Sequence, residues 1–451
     1  MSKSGASDHT TPEHDVIGAP TSEPCRTPIP ENWDVLRIGE MFSRRIERGR
    51  EGLPVMSITM TQGLVERDSV ERRVETNLSP EAHLLVRAGD LAYNMMRMWQ
   101  GVLGRGRFDC LVSPAYIVLQ PKERVDPEFA EYLFSTRTAI AAFKRLSYGV
   151  VDDRLRLYYR DLVRISFALP RGRQEQHRIA EILSTLDETI AQTEALIAKY
   201  QQIKAGLMQE FFTRGITPDG RLRPTRTRCP HLFKESRFGW IPQEWGVSDV
   251  RNRGSVQLGR QRSPDQFSGI WTTPYLRVAN VFDGFINYRD VLTMDFTPDE
   301  RKTFGIKRGD ILLNEGQSLE LVGRSALFDG PDDTFCFQNT LVRFRCFSRQ
   351  HPLFYQFLFK WFLDSGFFMR IAKQTTSVAH LGADRFARMP CPSVPYEEQC
   401  RIAERLSAIE IMRDIETLQL AKLRCLRDGL MHDLLTGRVR VQVDKSEEVP
   451  A

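Results

Sequence analysis

The amino-acid sequence predicts an α+β protein built from two pseudo-symmetric mixed α/β domains and an antiparallel coiled-coil pair of long helices. Three observations lead to this fold class. A large part of the sequence is duplicated, each copy contains short runs typical of β-strands, and each copy ends in a long helical segment. The chain has 451 residues, which suggests roughly two to four domains on length alone.

The duplication is clearest in the helical segments. Residues 175–184 read EQHRIAEILS, and residues 398–407 read EQCRIAERLS. Aligned without a gap at an offset of 223, residues 175–213 and 398–436 share 14 identities in 39 positions, whereas ordinary residue usage gives roughly two or three by chance. The likeness continues upstream in two shorter pairs, IPENW (29–33) with IPQEW (241–245) and GDLAYN (89–94) with GDILLN (309–314).

Each copy repeats one order of elements. Runs rich in β-branched and aromatic residues, SPAYIVL (113–119) and TLVRFRCF (340–347), predict strands. A helix should follow in each copy, because Pro127 and Pro352 come directly after residues that can begin one, and proline is tolerated in the first helical turn. A proline-containing stretch then precedes the long helix.

Apolar residues in the two long segments step by three and four, as in a coiled coil. Four charged residues, Lys204, Arg413, Glu416 and Arg427, interrupt this seam. A helix of 39 residues is about 58 Å long, too long for the core of a small domain. The cheapest way to bury its apolar face is to pack it on the other long helix. A two-fold relation between the copies then makes the pair antiparallel.

These patterns predict seven successive segments. The linker carries six Lys or Arg residues against two Asp or Glu, and we expect it to be solvated. The segments are a disordered tail (1–28), the first domain (29–170), the first long helix (171–216), the linker (217–240), the second domain (241–395), the second long helix (396–440) and a second disordered tail (441–451).

Composition excludes several classes of protein. The chain has 63 Lys and Arg residues against 58 Asp and Glu, so its formal charge is +5. This average charge says little about nucleic-acid binding, because acidic residues elsewhere can offset the charge of a basic face. No apolar run is long enough to span a membrane. The first thirty residues have no apolar signal region, and the eight cysteines form no CxxC pair. We therefore expect a cytoplasmic protein with reduced thiols, no zinc finger and no metal site.

The sequence also lacks the usual catalytic motifs. It contains no GxxxxGK[ST] loop, no HExxH or GxSxG motif, and no Asn/Asp-Pro-Pro-Tyr/Phe segment of the kind that amino-methyltransferases use. The glycine-rich residues 101–106 do not join a clear strand to a helix, as a dinucleotide site would require. We therefore predict no catalytic residues in this chain.

Arginine, glutamine and aromatic side chains instead suggest contact with nucleic acid. Arginine and glutamine can read base edges in the major groove, and arginine also neutralises phosphates. For each single residue the simpler alternative is an ordinary surface arginine or a core aromatic. The candidate DNA-binding residues are Arg97, Trp99, Gln100, Arg105 and Arg107 in the first copy and Arg260, Arg262, Arg277 and Arg324 in the second.

Taken in order along the chain, several segments resemble one family. They are IPENW and IPQEW at the start of each half, NMMRMWQGVLG (94–104) running into SPAYIVL, GDILLN, the EQ-x-RIAE helix starts, KAGLMQEFFTRGI (204–216), RDGLMHDLLTGRV (427–439) and FKESRFGWIPQEW (233–245). In this order, and duplicated, they are similar to the specificity subunits of type I restriction–modification enzymes over nearly all of residues 29–440.

The resemblance implies that each domain is a target recognition domain that reads one half of a split, asymmetric sequence in double-stranded DNA. The long helices would dock two modification subunits, which bind S-adenosylmethionine and methylate adenine, and two restriction subunits where these accompany the complex. S-adenosylmethionine, ATP and Mg would bind those partners, and no cofactor would bind this chain. The helix residues expected to dock subunits are Ile179, Leu183, Leu186, Ile190, Ile402, Leu406, Ile409 and Leu423.

Two other functions stay open from the residues. A self-contained DNA modification enzyme would need the missing methyltransferase motifs. A coiled-coil adaptor that binds only protein would use the long helices and leave the arginines of the domains without a role. Retention of DNA by the chain, with and without a modification subunit, distinguishes these alternatives.

Overall fold

The structure is a computed structural model that describes residues 29–60, 62–67, 78–149, 155–263, 269–374 and 378–442. The predicted tail at 1–28 and nearly all of the tail at 441–451 lie outside these residues. The chain divides into two compact units. Within the described part, the first unit comprises residues 29–193 and 419–442, and the second comprises residues 194–418.

The first domain is built on a four-stranded antiparallel sheet. Its strands lie in the order Phe42–Arg45, Tyr116–Pro121, Leu91–Asn94 and Leu103–Arg105. Three antiparallel pairs surround it, namely Trp33–Arg37 with Ser166–Pro170, Met56–Thr59 with Gly63–Glu66, and Leu84–Val86 with Cys110–Val112. The helices of this domain are Ile38–Met41, Pro127–Phe134, Arg137–Arg145 and Tyr159–Leu162, with short 3-10 turns at Pro80–Ala82 and Met98–Gln100.

The second domain repeats the central sheet with the same strand order. Its strands are Gly254–Leu258, Leu341–Cys346, Ile311–Asn314 and Ser325–Leu327. The remaining strands are Phe233–Ser236 with Gly239–Pro242, Gly246–Asp249 with Pro390–Ser393, Thr272–Leu276 between Leu292–Asp295 and Cys336–Phe337, and Ala379–His380 between Gly316–Gln317 and Lys373–Gln374. The helices are Pro298–Phe304, Pro352–Asp364, Phe367–Ile371 and Ala383–Ala387, with 3-10 turns at Pro230–Leu232 and Val250–Asn252.

The two long helices are present close to their predicted bounds. The first runs from Arg173 to Thr213 and the second from Tyr396 to Leu435. The glycines after their ends, Gly215 at φ +66° and Gly437 at φ +72°, adopt the left-handed conformation that ends helices. The predicted prolines Pro127 and Pro352 begin their helices.

The repeated EQ pair at the start of each long helix fastens the helix to its own domain. Gln176 accepts from the backbone N–H of Asp126 at 2.8 Å and donates to the carbonyl of Pro170 at 2.8 Å. Gln399 accepts from the N–H of His351 at 2.9 Å and donates to the carbonyl of Val394 at 2.8 Å. Both amides are buried, so each satisfies backbone groups that water does not reach.

Within each unit, the start of one long helix runs antiparallel to the end of the other. In the first unit Asp187 pairs with Arg427; in the second, Lys204 pairs with Glu410. The offset of 223 exchanges these two ion pairs, so they are the same contact in the two copies. The charged residues Lys204 and Arg427, which interrupt the apolar seam in the sequence, therefore have partners on the facing helix.

The largest hydrophobic core of each unit draws on both long helices. The core of the first unit includes Ile179 and Leu183 from the first helix together with Leu434 and Leu435 from the second. The core of the second unit includes Ile402 and Leu406 from the second helix. It also includes Met208, Phe211, Phe212 and Ile216 from the end of the first helix and the residues beyond it. Each helix therefore contributes apolar surface to both units, as the predicted helix pairing requires.

The linker differs in part from the solvated segment that we predicted. Most of its residues are exposed, but Arg223 is 5% exposed and Phe233 is 6% exposed. The Arg223 guanidinium forms a buried ion pair with Glu398, at 2.5 Å for its shorter contact. The reason is that the start of the second long helix leaves a buried carboxylate, which requires a cation.

Candidate nucleic-acid interface

The repeated Gly-Asp-Leu/Ile motif builds the same turn before the central strand of each domain. Gly89 and Gly309 both have φ of +89°, which permits the tight turn. Asp90 accepts from the N–H of Arg87 at 2.9 Å, and Asp310 accepts from the N–H of Lys307 at 2.7 Å. The two carboxylates are buried and pair with Arg45 and Arg345. The motif therefore fixes the start of the strand, and the strand positions the segment that follows it.

The predicted residues Arg97, Trp99 and Gln100 lie together on the turn that follows the strand Leu91–Asn94. Trp99 donates from Nε1 to the carbonyl of Met96 at 3.0 Å, and Lys144 lies 5.9 Å from its ring centroid. Arg97 is exposed and donates to Gln100 at 3.4 Å. The turn thus presents a guanidinium, an indole and an amide beside a lysine, a combination suited to DNA.

Arg105 and Arg107 have different surroundings. Arg105 pairs with Glu128 at 2.7 Å and Glu131 at 3.2 Å, with its side chain 18% exposed. Two carboxylates therefore already compensate the charge of Arg105 inside the domain. Arg107 is exposed two residues further along.

The predicted arginines of the second domain are mostly engaged in internal contacts. Arg260 pairs with Glu300 at 2.7 Å and is 10% exposed, and Arg277 pairs with Asp290 at 2.5 Å. Arg324 lies 4.9 Å from the ring centroid of Phe282, and burial lowers its pKa. Arg262 is exposed. The assignment of all nine residues to DNA contact stays a prediction.

Sequence reasoning missed a concave site in the first domain. We call it the tyrosine–arginine pocket, a cavity of about 420 Å³, within the range of roughly 300–1,000 Å³ usual for ligand pockets. The Tyr158 ring lies 5.3 Å from that of Tyr148 and 5.7 Å from the Arg160 guanidinium. In the sequence, the only local sign of this pocket is the run Tyr158-Tyr159-Arg160. The lining residues that matter here are Arg44, Met95, Ile117, Tyr158, Tyr159 and Arg160.

Cations and aromatic rings in this pocket are available to a ligand. The side chain of Arg160 is 77% exposed, although it contacts Asp161 at 3.4 Å and donates to the Tyr148 hydroxyl at 2.5 Å. Arg44 is also exposed. Met95 directly follows the repeated Asn94, so the pocket adjoins the turn that carries Arg97 and Trp99. The pocket and the turn therefore lie side by side at the end of the strand Leu91–Asn94.

The predicted docking residues fall into two groups. Ile179, Leu183, Ile402 and Leu406 are at most 1% exposed and belong to the cores of their units, so these four side chains are not available to a partner. This corrects their predicted role, and the reason is that each long helix turns its apolar start toward its own domain. The others are at the edge of burial or partly exposed, namely Leu186, Ile190, Ile409 and Leu423.

A different apolar surface is exposed on the second long helix. It consists of Ile411, Met412, Ile415 and Leu418, which are 48–66% exposed, and we call it the exposed helix patch. At the offset of 223 the first long helix carries Glu188, Thr189, Gln192 and Ala195 instead. Exposed apolar patches of this kind often mark protein interfaces.

Comparison with known proteins shows what this chain is similar to. Residues 30–202 match the model of the type I restriction modification DNA specificity domain. The resemblance to type I specificity subunits is confirmed. The chain is 24% identical over 448 residues to the type I restriction enzyme MjaVIII specificity subunit of Methanocaldococcus jannaschii, with 92% of this chain and 94% of that protein covered.

Solved structures of type I specificity subunits and systems share the fold. The crystal structure of the type I restriction-modification system S subunit from M. genitalium matches with a TM-score of 0.53 at 14% identity, covering 91% of this chain and 98% of that one. A chain from structural work on complex assembly and conformational transition of the type I R-M system matches with a TM-score of 0.51 at 15% identity, covering 92% and 100%. At these identities the likeness is one of fold.

The described residues carry neither a metal-ligating cluster nor a membrane-spanning helix. No group of three or more His, Cys, Asp or Glu side chains in this part of the chain is arranged to hold a metal ion. None of the helices described is both long and apolar enough to cross a membrane. The seven cysteines of the described segments are free thiols.

Proposed function

We propose that this chain is the DNA specificity subunit of a type I restriction–modification complex. Each of its two domains reads one half of a bipartite, asymmetric target in double-stranded DNA, and the chain itself performs no catalysis. The observation that carries the proposal is the duplicated architecture, in which the same four-stranded sheet is followed twice by a long helix, together with the specificity-domain match over residues 30–202.

In this proposal, two modification subunits dock on the long helices, and two restriction subunits join where the host supplies them. S-adenosylmethionine, ATP and Mg are bound by those partners in the cytoplasm. The buried residues Ile402 and Leu406 leave docking to surfaces that remain exposed, and the exposed helix patch is the largest apolar candidate on the second helix. Its four exposed side chains offer the apolar area that the buried centre of a stable subunit interface requires.

Single-molecule mapping of adenine methylation tests the recognition function. A host that expresses the modification subunit with this chain should methylate one bipartite motif, and a host with the modification subunit alone should not. Loss of sequence-selective DNA retention, both with and without the modification subunit, would instead favour the protein-binding adaptor. Methylation by the chain alone would favour a self-contained modification enzyme.

Substitution in the exposed helix patch tests the docking surface. Ile415→Glu places a charge where a partner would bury an apolar side chain, and we expect the modification subunit to bind roughly tenfold or more weakly. Gln192→Glu is the matched control, because Gln192 is the exposed residue that corresponds to Ile415 in the first helix. Equal affinities of the two variants, measured by titration calorimetry, would remove the patch from the interface.

A further inference from the structure

We propose that the tyrosine–arginine pocket determines which bases the first domain reads, through direct contact with base edges in one half of the DNA target. This inference rests on the proposed function and assigns the role to residues that the sequence analysis did not select. Arg44 and Arg160 supply the hydrogen-bond donors, and Tyr158 supplies an aromatic face and a hydroxyl group. All the residues that line the pocket belong to the first domain.

The chemistry of the pocket suits base edges. A guanidinium can donate two hydrogen bonds to guanine O6 and N7, and apolar and aromatic surfaces contact the thymine methyl group. Arg160 is held beside the Tyr158 ring at 5.7 Å and by the Tyr148 hydroxyl at 2.5 Å. These contacts orient the guanidinium while its side chain stays 77% exposed. Arg160 also contacts the carboxylate of Asp161 at 3.4 Å, but its side chain is exposed, whereas the side chains of Arg105 and Arg260, 18% and 10% exposed, lie beside internal carboxylates.

The equivalent place in the second domain can be located by a shared hydrogen bond. In the first domain the N–H of Leu157 donates to the carbonyl of Met95 at 2.9 Å, and in the second the N–H of Leu381 donates to that of Glu315 at 2.7 Å. Met95 follows Asn94 and Glu315 follows Asn314, which the sequence repeat already aligns. The triplet Tyr158-Tyr159-Arg160 therefore corresponds to Gly382-Ala383-Asp384.

Strand register locates the equivalent of Arg44. Arg44 pairs with Leu119, which in turn pairs with Leu91 of the repeated motif. In the second domain Val256 pairs with Phe344, which pairs with Ile311. Leu91 and Ile311 occupy the same motif position, so Arg44 corresponds to Val256.

The two copies thus share a backbone frame here but differ in charge and aromatic character at three aligned positions. The first domain offers Arg44, Tyr158 and Arg160, and the second offers Val256, Gly382 and Asp384 at those positions. At these three positions, two arginines and a tyrosine of the first domain are replaced by a valine, an aspartate and a glycine. Two domains that carry different side chains at equivalent positions should read different half-sites. An asymmetric target requires such a difference.

Methylation mapping of pocket variants tests the inference. The full-length chain is co-expressed with its modification subunit in a host without other adenine methylation, as wild type and as Arg44→Ala, Arg160→Ala or Tyr158→Leu. Arg164→Ala is the control, because Arg164 is an exposed arginine on the same domain that does not line the pocket. We expect one half of the bipartite motif to relax at one or two positions, with discrimination there falling roughly tenfold or more.

The other possible outcomes distinguish failure of the proposed function from failure of the pocket inference. A wild-type chain that yields no bipartite motif would contradict the proposed function itself. A wild-type motif retained in full by all three pocket variants would overturn only the pocket inference, as would relaxation of both half-sites. Uniformly weaker methylation with an unchanged motif would also overturn it, because that is the signature of phosphate contacts. Arg44→Ala and Arg160→Ala change exposed side chains, so the test does not depend on Tyr158→Leu folding.

Discussion

The starts of the two long helices carry the same glutamate, but the two units hold it differently. In the second unit Glu398 is 2% exposed. It accepts from Arg223 at 2.5 and 3.1 Å, from Trp245 Nε1 at 3.0 Å and from the N–H of Ile216 at 2.7 Å. Burial opposes the charge of Arg223, but the hydrogen bonds and charges of Glu398 and Glu244 outweigh it, so the pKa of Arg223 is raised.

The first unit has looser contacts at the same place. Glu175 accepts from Asn32 at 2.9 Å and from Arg440 at 3.3 Å, and the Arg440 side chain is 54% exposed. Trp33 corresponds to Trp245 in the repeat, but its Nε1 has no hydrogen-bond partner among the described residues. The same sequence motif therefore forms a closed polar network in one unit and an open one in the other.

The difference lies in the segments that are not repeated. The linker supplies the buried cation of the second unit, whereas the residues after the second long helix supply the exposed cation of the first. A buried ion pair is costly to break because it leaves an uncompensated charge, whereas an exposed pair contributes little. Part of the linker is thus a structural element of the second unit.

The largest expected effect follows from removing Glu398. Glu398→Ala leaves the buried Arg223 paired only with the exposed carboxylate of Glu244 and removes the acceptor of Trp245, so we expect a loss of about 3 kcal/mol in the stability of the second unit. Glu175→Ala should cost only about 1–2 kcal/mol in the first unit. Hydrogen–deuterium exchange, read separately for the two units, measures both. Equal losses would contradict the difference between the closed and open networks.

A double variant separates the buried charge from simple loss of packing. Arg223→Met combined with Glu398→Ala removes the cation along with its partner. We expect it to be more stable than Glu398→Ala alone, because no uncompensated charge remains. If the double variant is less stable than the single one, the contacts of the Arg223 side chain matter more than its charge.

The glutamine next to each glutamate should show the opposite behaviour, with equal effects in both units. Gln176→Leu and Gln399→Leu each leave one backbone N–H and at least one carbonyl buried without a partner. The expected loss is about 1–3 kcal/mol for each. Thermal unfolding measures both losses, with Gln192→Leu at an exposed glutamine of the first long helix as the control. A marked difference between the two variants would show that the repeat is not structurally equivalent here.

The architecture could be predicted because its signals are duplicated and local. Gly89, Gly309 and the prolines that begin helices act on neighbours in the chain, and the EQ pairs are duplicated, so the sequence pattern itself reports them. The role of Arg223 could not be predicted in this way. It is one of six basic residues in the linker, and only the fold brings it to Glu398, 175 residues away.

The candidate interface was harder to predict for the same reason. Residue type alone selected Arg105, whose partners Glu128 and Glu131 come from a helix further along the chain. The tyrosine–arginine pocket joins Arg44 to Tyr158 and Arg160 across more than a hundred residues. Arginine and tyrosine are common on surfaces, so only the topology distinguishes a shared site from isolated side chains.

The smallest expected effect concerns the ion pairs between the long helices, which should again be similar in the two units. Lys204→Glu opposes Glu410, and Arg427→Glu opposes Asp187. Because these side chains are partly exposed, we expect each substitution to cost about 0.5–1 kcal/mol. The loss should be slightly larger for Lys204, whose pair is 17% and 29% exposed, than for Arg427, whose pair is 32% and 36% exposed.

Charge exchange completes this test. Lys204→Glu with Glu410→Lys restores an attractive pair on the facing helices, so it should recover most of the stability lost in the single variant. The single-variant loss should also shrink at about 1 M salt, where screening acts over roughly 3 Å. If the exchanged pair recovers nothing, other contacts of the Lys204 side chain, whose ammonium lies 5.3 Å from the ring centroid of Phe357, stabilise the helix pair more than its ion pair with Glu410 does.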